Sequence, residues 1–452
     1  MTFDMLLHRR PKLSFVASGL ALFGTAAVLL ALGHASASRA DALNPYRVFT
    51  DSGPVTQEDK DRRQEERDAL YVRLSPQYRM DVPFVSEAAI VGLQQAIERY
   101  RHIVAGGGWP QVSGNVTLRP GDTGAEIATI RKHLIIEGDL PPGSSLSPRF
   151  DAEFRDGLAR FQIRNGLRVS GFVDQRTLRA LNVTAAERLR QLETNVPRIQ
   201  KLMKINKAPR YVLVNVPAFT AQAVQKGQLA LESAVVVGKP SRATPQVTAK
   251  IIEVNFYPTW SVPDSVARKD LIPAIRKNPA YFYEQKFNVM KSWGAPPLDP
   301  GQVDWASPQV ASYKFRQDPG PQNALGVVRI NMPNKDSVYM HDTPLKRLFS
   351  QSARAFSSGC VRVESVYQLA AWLLDDQGWT LSKVEAQVAS GKKINVKLKR
   401  SVPVHFVYLT AFANSNGVAQ FRPDIYGRDA GDDGLDDQQD AVVISESRAV
   451  TP

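Results

Sequence analysis

The sequence predicts an α+β protein of several domains, in which a helical first half gives way to a β-rich second half. Three observations predict it. The chain has 452 residues, more than one hydrophobic core usually serves. As far as about residue 205, apolar residues recur at three- and four-residue steps, the spacing of one helix face. From Tyr211 onward the pattern changes to short runs rich in Val, Ile, Tyr and Phe, separated by Gly, Pro and Asn.

Composition narrows the chemistry. Hydrophobic residues make up 43% of the chain and charged residues 22%, which excludes wholesale disorder. A single cysteine excludes intrachain disulfides and multi-cysteine zinc or iron–sulfur sites. Six scattered histidines form no HExxH pair, so a zincin-type metal site is not expected. A formal charge of +13 favours an anionic partner: nucleic acid, anionic lipid or an acidic cell-wall polymer.

The N-terminus chooses among these. Arg9, Arg10 and Lys12 precede an uncharged apolar run from Leu13 to Leu32, and Ala35-Ser36-Ala37 follows as a small-residue exit. This is the layout of an export signal. The run is also close to the roughly 20 residues that cross a bilayer, so residues 1–40 read as a cleaved signal or a retained anchor. Either way the remainder lies outside the cytoplasm. Nucleic acid is then a poor partner, and membrane contact is confined to this segment. A lone thiol in an oxidising compartment is either buried and inert or kept for its chemistry.

The rest divides as follows. Residues 41–84 are charge-dense and read as a polar linker, or as a solvated helix leading into the fold. In 85–117, Ser86 caps a helix whose Ile90, Leu93, Ile97, Tyr100 and Val104 share one face. Residues 118–183 form a compact module of three small helices, the first expected to be capped by Asp122. Its aromatic and leucine positions read as core rather than ligand contacts, and a unit this small suits binding or spacing. Residues 184–208 are a connecting helix. A β-rich domain spans 209–400, with Thr220 to Val224 and Gln228 to Val237 pairing about Lys226-Gly227. Within it, residues 263–313 are too long for a plain loop and read as a lid. Residues 401–428 are a further β-hairpin, and 429–452 an Asp-rich acidic tail without calcium-loop spacing.

The chemistry concentrates in two short blocks. The cysteine lies in Phe356-Ser357-Ser358-Gly359-Cys360-Val361-Arg362-Val363, where small neighbours leave the sulfur approachable. Gly359 permits a tight turn that could aim backbone amides at an oxyanion. Nineteen positions upstream stands His341, in Tyr339-Met340-His341-Asp342-Thr343-Pro344. A thiol with a nearby imidazole is the minimum for covalent acyl transfer, the imidazole generating or pairing with the thiolate. Arg362 adds a charge that favours a thiolate or a substrate carboxylate.

The string HDTP…RAFSSGCVRV, with its His-to-Cys spacing, resembles the signature of the L,D-transpeptidases of the YcbB-type branch, whose catalytic domain is a YkuD-like β-sandwich. YPTWSVP (257–263), PGPQNALG (319–326) and FRPDIYGRD (421–429) fit the same branch. LRPGD…FQIRNGL…TL..LN resembles the peptidoglycan-binding-domain-1 family over the whole three-helix module. Many relatives carry a second histidine where Ser358 stands here.

The resemblance implies a β-sandwich catalytic domain with a helical insertion, located in the periplasm, and no metal or organic cofactor. Cys360 would attack the third-residue carbonyl of a tetrapeptide stem of peptidoglycan and release D-Ala. His341 would serve as base and then acid, oriented by the backbone carbonyl of Asp342. Backbone amides of Gly359 and Cys360 would form the oxyanion hole. Arg362, Tyr339, Trp260, Ser357 and Ser358 would contact substrate. A stem amine as acceptor gives a 3→3 cross-link. An outer-membrane protein amine would instead tether that protein to the wall, and water would give an L,D-carboxypeptidase. A catalytically silent wall-binding protein is the reading from another class.

Overall fold

The computed structural model describes residues 57–430. The export segment and all but the first two residues of the acidic tail lie outside them. Among the described residues no helix is long and apolar enough to cross a membrane.

The first half is helical, as its periodicity predicts: α1 (Gln57–Leu74), α2 (Glu87–Ala105), α3 (Ala125–Glu137), α4 (Ala152–Arg164), α5 (Gln175–Leu181) and α6 (Ala185–Ile205). Of the two readings of 41–84, the helix leading into the fold holds over 57–74 and the linker does not. Leu70 and Leu74 of α1 bury against Ala159, Ile163 and Val169, and Arg73 pairs with Asp156 at 2.8 Å. Only the end of α1 carries apolar anchors, which is why its charge-dense start reads equally as linker or solvated helix. Ser86 caps α2 by accepting the Ala89 amide at 3.1 Å. Asp122 does not cap α3: it accepts the Arg119 amide at 2.8 Å, and Gly124 is the residue before the helix. Helices α3 to α5 enclose one apolar core built on Ile127, Ile130, Leu134, Phe154, Leu158 and Leu181.

That core is joined to the scaffold by a buried ionic cluster. Arg164 on α4 reaches Glu137 at 2.6 Å, Asp139 at 2.7 Å and the Tyr100 hydroxyl at 3.1 Å. The module is therefore fixed to α2 rather than hung as a separate bead.

The second half is mostly sheet. Strands β1 (Arg210–Asn215), β2 (Thr220–Gln225), β3 (Gln228–Gly238) and β4 (Val247–Phe256) are followed by β5 (Trp260–Ser261), β6 (Phe287–Met290) and β7 (Lys314–Gln317). Then come β8 (Val328–Asn331), β9 (Met340–His341), β10 (Ala355–Ser357), β11 (Val361–Val363) and β12 (Ile394–Val407). The main sheet runs β10-β3-β11-β9-β8-β4-β12-β1-β2, and β2 also pairs with β3. The layers expected of a sandwich are thus parts of one sheet that closes on itself. One face, with Val212, Val214, Phe256, Ile330, Met340, Val361 and Val363, buries against α10 (Val366–Leu373) and α11 (Leu381–Ala389). On β1 the other face is buried too: Tyr211 and Leu213 pack on α2 and α6.

Two boundaries move. β12 runs unbroken from 394 to 407, so the division at 400 cuts a strand. Its polar KLKRS stretch is exposed and carries a shift in pairing register between Lys397 and Val402, which makes it read as a linker. The later hairpin pairs β13 (Ala411–Ala413) with β14 (Ala419–Phe421). Asp429, assigned to the tail, instead accepts from Arg198 at 2.6 Å and from the Thr410 hydroxyl at 2.8 Å.

The insertion has a core of its own. α7 (Asp264–Val266) runs through a π turn at Ala267–Leu271 into α8 (Ile272–Lys277), and α9 (Ala280–Glu284) follows. These helices pack on a three-stranded sheet, β5-β7-β6, around Ile275, Phe282, Val289 and Phe315. It is a mixed subdomain rather than a purely helical one.

Candidate active site

Strand register assembles the site. On β9 and β11, Met340 pairs with Val361 and His341 with Arg362. Met340 and Val361 face the core, so by alternation His341 and Arg362 face the other way. The same holds one step earlier in each strand, where Tyr339 stands beside Cys360 and its carbonyl accepts the Val361 amide at 3.0 Å. Across β8, Arg329 is opposite His341, and Asn255 of β4 is opposite Arg329. One face therefore carries a row Asn255–Arg329–His341–Arg362, with Tyr339 and Cys360 beside it.

His341 is buried, and its Nδ1 lies 2.5 Å from the Asp342 carbonyl oxygen. A carbonyl oxygen only accepts, so Nδ1 carries the proton and the neutral ring keeps a lone pair on Nε2. Burial and then the Arg362 charge push the imidazole down to about 3, against the pull of the Asp342 and Leu325 carbonyls. Burial also raises the Cys360 thiol, more than Tyr339 and the nearby Arg329 and Arg362 lower it. The resting pair is a neutral thiol and a neutral imidazole, with no hydrogen bond joining them among the described residues. This suits an imidazole that takes the proton during attack better than a standing thiolate–imidazolium pair.

Asp342 is held on two further sides. Its Oδ2 accepts the Val327 amide at 3.0 Å, and Oδ1 pairs with Lys346. Gly326 (φ +62°) lies so near that an added Cβ would come 2.5 Å from the Asp342 carboxyl carbon. The preceding loop is pinned by buried Asn323, which donates to the carbonyls of Pro258 at 3.2 Å and Asp318 at 3.0 Å. These contacts explain why the PGPQNALG block sits beside the histidine.

The turn before Cys360 departs from expectation. The Gly359 amide donates to Ser357 Oγ at 3.1 Å, so it is already used and is not an oxyanion donor in this conformation. The Ser357 hydroxyl donates to the Cys360 carbonyl at 2.6 Å, and the residue is only 3% exposed. Ser357 therefore closes the turn and does not face substrate. Ser358 is exposed, and its Oγ accepts from Arg242 at 2.8 Å. Arg242 also grips Asp270 of the insertion through both guanidinium nitrogens, one at 2.9 Å. The Cys360 amide has no protein acceptor among the described residues.

Tyr339 stands beside Cys360, and the Trp260 indole acts on the Tyr339 hydroxyl rather than on the sulfur. Burial and then the neighbouring Cys360 raise the Tyr339 hydroxyl, and its ring centroid is 5.7 Å from that of His341. Trp260 also packs into the insertion's core, so the insertion borders the nucleophile. Arg362 and Arg329 are half-buried, each with an unpartnered Nε and no carboxylate partner among the described residues. Arg329 also covers the Tyr339 ring at 5.2 Å. Among the described residues no group of three or more His, Cys, Asp or Glu side chains could hold a metal ion.

Sequence reasoning missed Arg329, Arg242, Thr244 and Tyr426. The β-run Val327 to Asn331 was legible, but only pairing with β9 places Arg329 beside the histidine. Thr244 joins the site through hydrogen bonds from a remote segment with no local signal in the sequence, and Tyr426, although inside the FRPDIYGRD block, is brought there only by the fold.

Residues 209–396 match the L,D-transpeptidase catalytic domain, YkuD, and residues 123–181 match a peptidoglycan-binding domain. A curated relative described as a putative L,D-transpeptidase, from Haemophilus influenzae, is 37% identical over 231 residues. That match covers 51% of this chain and 47% of the relative, so the chain spans about half the length of the curated protein it matches. Among solved structures, an L,D-transpeptidase from Mycobacterium smegmatis is 14% identical, covering 44% of this chain and 58% of its own, with a TM-score of 0.23. One from Xylanimonas cellulosilytica is 13% identical, covering 66% and 98%, with a TM-score of 0.21.

Proposed function

We propose that the protein is a peptidoglycan L,D-transpeptidase acting outside the cytoplasm. The observation that carries this reading is the shared face of β9 and β11. There an imidazole with its Nδ1 proton on a carbonyl lies one residue along from a tyrosine that stands beside the chain's single thiol.

In the proposed reaction, Cys360 Sγ attacks the third-residue carbonyl of a tetrapeptide stem, and its proton passes to His341 Nε2. The oxyanion accepts from the Cys360 amide and the Tyr339 hydroxyl. Collapse breaks the peptide bond, the imidazolium returns its proton to the departing D-Ala amine, and a thioester remains. An acceptor amine then attacks, giving up its proton to His341, and the thiol is restored. Trp260 borders the cleft, and Arg329 and Arg362 bind carboxylates of the stem. The three-helix module, fixed to the scaffold, gives the catalytic domain a second contact with the wall.

The test is incubation of the full chain with purified tetrapeptide stems, with products identified by mass. Dimers lacking one D-Ala are expected from the wild type and none from Cys360→Ala, which should fold normally. Undiminished dimer formation by Cys360→Ala would remove the reading. Trimmed monomers alone would replace transfer to an amine by hydrolysis, and an inert, probe-resistant thiol would favour a wall-binding role.

A further inference from the structure

One hydroxyl outside the expected site bears directly on the nucleophile turn. Thr244 is fully buried, and its Oγ1 has two backbone neighbours. It accepts the Gly238 amide at 2.8 Å and donates to the Gly359 carbonyl at 2.8 Å. The direction is unambiguous, because an amide only donates and a carbonyl only accepts. The Thr244 amide in turn donates to the Tyr426 hydroxyl oxygen at 3.1 Å, and that hydroxyl donates to the Gly238 carbonyl at 2.5 Å. Tyr426 is itself fixed: its amide donates to the Tyr408 hydroxyl at 2.8 Å, and Tyr408 donates to Asp424 at 2.5 Å.

What this chain of bonds fixes is one peptide plane. In a trans peptide the carbonyl and the following N–H point in opposite directions. Holding the Gly359 carbonyl therefore aims the Cys360 amide the other way. That amide is the backbone donor left at the turn, since Ser357 takes the Gly359 amide. Gly359 has φ +121°, with no atom closer than 3.8 Å to an added Cβ, so glycine is needed for the dihedral and not for space. A backbone free of Cβ restraint would let the peptide rotate, and Thr244 is the group that stops it.

We infer that Thr244, held by Gly238 and Tyr426, is a positioning residue for acyl transfer: it orients the Gly359–Cys360 peptide so that the Cys360 amide meets the developing oxyanion. This rests on the transpeptidase reading of Cys360. It predicts a split between two reactions of the same sulfur. Acylation by a carbapenem passes through an oxyanion, whereas alkylation by iodoacetamide displaces iodide at a saturated carbon and needs no oxyanion donor.

The experiment follows both reactions by intact mass in the full chain, for wild type, Thr244→Val, Thr244→Ser and Tyr426→Phe. Losing a well-placed oxyanion donor costs about 10²–10³ in rate, so misaiming one should slow acylation of Thr244→Val about 10- to 100-fold. Alkylation should stay within about twofold, and Thr244→Ser should restore acylation to within a few-fold. Tyr426→Phe keeps the Thr244 hydroxyl and loosens its backbone, so its acylation should slow about threefold, which keeps the test decisive even if Thr244→Val folds poorly. Equal slowing of both reactions, or acylation of Thr244→Val and Tyr426→Phe at the wild-type rate, overturns the inference. A wild-type protein that alkylates but is never acylated overturns the transpeptidase reading instead, and this inference with it.

Discussion

His341 stands directly opposite Arg362 on neighbouring parallel strands, and no carboxylate separates the two. The imidazole thus meets a positive charge where a catalytic histidine more often meets a negative one. Burial and this charge push it down to about 3.

A pH profile reads this relationship. In the proposed reaction the neutral ring is the base, so activity should be lost only as pH falls through the folded pKa. That value is about 3, far below the ordinary 6.5. The kcat/KM for stem cross-linking should therefore stay flat from about pH 8 down to about pH 5. Arg362→Gln removes a positive neighbour, so the His341 pKa must rise and the acid limb must move up with it. An acid limb near the ordinary histidine value in the wild type would contradict the neutral-pair description.

Stability in acid follows from the same burial. His341 and His405 are both buried, with pKa values pushed down to about 3 and about 4. His405 accepts or donates only at Nδ1, to Thr248 at 3.1 Å, and its Nε2 has no partner. Below the ordinary value of 6.5 the unfolded chain protonates first, so folding stability is full above it and falls as pH drops. Each histidine should cost about 2 kcal/mol at about pH 5. Urea unfolding at two pH values measures the loss, and His405→Phe should recover part of it. A Phe variant as acid-sensitive as the wild type would show that His405 protonates freely in the fold.

The sequence made some of this site legible and hid the rest for physical reasons. His341 and Cys360 are readable because their chemistry is carried by two contiguous blocks. The roles of Ser357 and Gly359 are not, because a hydroxyl beside a nucleophile can face substrate or close its own turn, and only the coordinates of the turn decide. Arg329 is invisible because register, not spacing, brings β8 beside β9. In the fold, helix periodicity exposed α2 to α6, while the solvated first three turns of α1 left it undecided between helix and linker. β12 was divided at 400 because an exposed, register-shifted strand has the composition of a linker.

The Arg329–Arg362 pair should select for charge on the donor stem. Both guanidinium groups flank His341 with no carboxylate partner among the described residues, and the proposed function gives them a substrate carboxylate. Arg329→Gln should raise KM for a stem with free side-chain carboxylates about tenfold, the worth of one charge-assisted hydrogen bond. A stem with those groups amidated should be bound alike by variant and wild type. Equal losses for both stems would assign Arg329 to packing on Tyr339.

Arg164 is expected to decide whether the helical module and scaffold unfold together. It is 4% exposed and bridges Glu137, Asp139 and Tyr100. Replacing it by Met leaves two buried carboxylates without their cation, at a cost of about 3 kcal/mol. The exposed Arg101–Glu193 pair at 3.0 Å is the control, and Arg101→Ala should leave the unfolding midpoint nearly unchanged. If Arg164→Met unfolds like the wild type, the cluster is not what binds the module to α2.

Gly326 separates a strained backbone from a displaced catalytic group. It has φ +62°, and a Cβ there would sit 2.5 Å from the Asp342 carboxyl carbon. Asp342 cannot retreat freely, because Val327 holds its carboxylate and its own carbonyl holds His341. Gly326→Ala should therefore tilt the imidazole, and a misplacement on the order of 1 Å costs about 10²-fold in rate. Gly378 is the matched control, with φ +72° and nothing within 4 Å of an added Cβ. Gly378→Ala carries the dihedral cost alone, about 1 kcal/mol of stability, and should leave kcat/KM for stem cross-linking unchanged. If the two variants lose stability alike and neither loses activity, the approach of Gly326 to Asp342 is incidental. If only Gly326→Ala loses activity, Asp342 transmits the position of a neighbouring strand to the base.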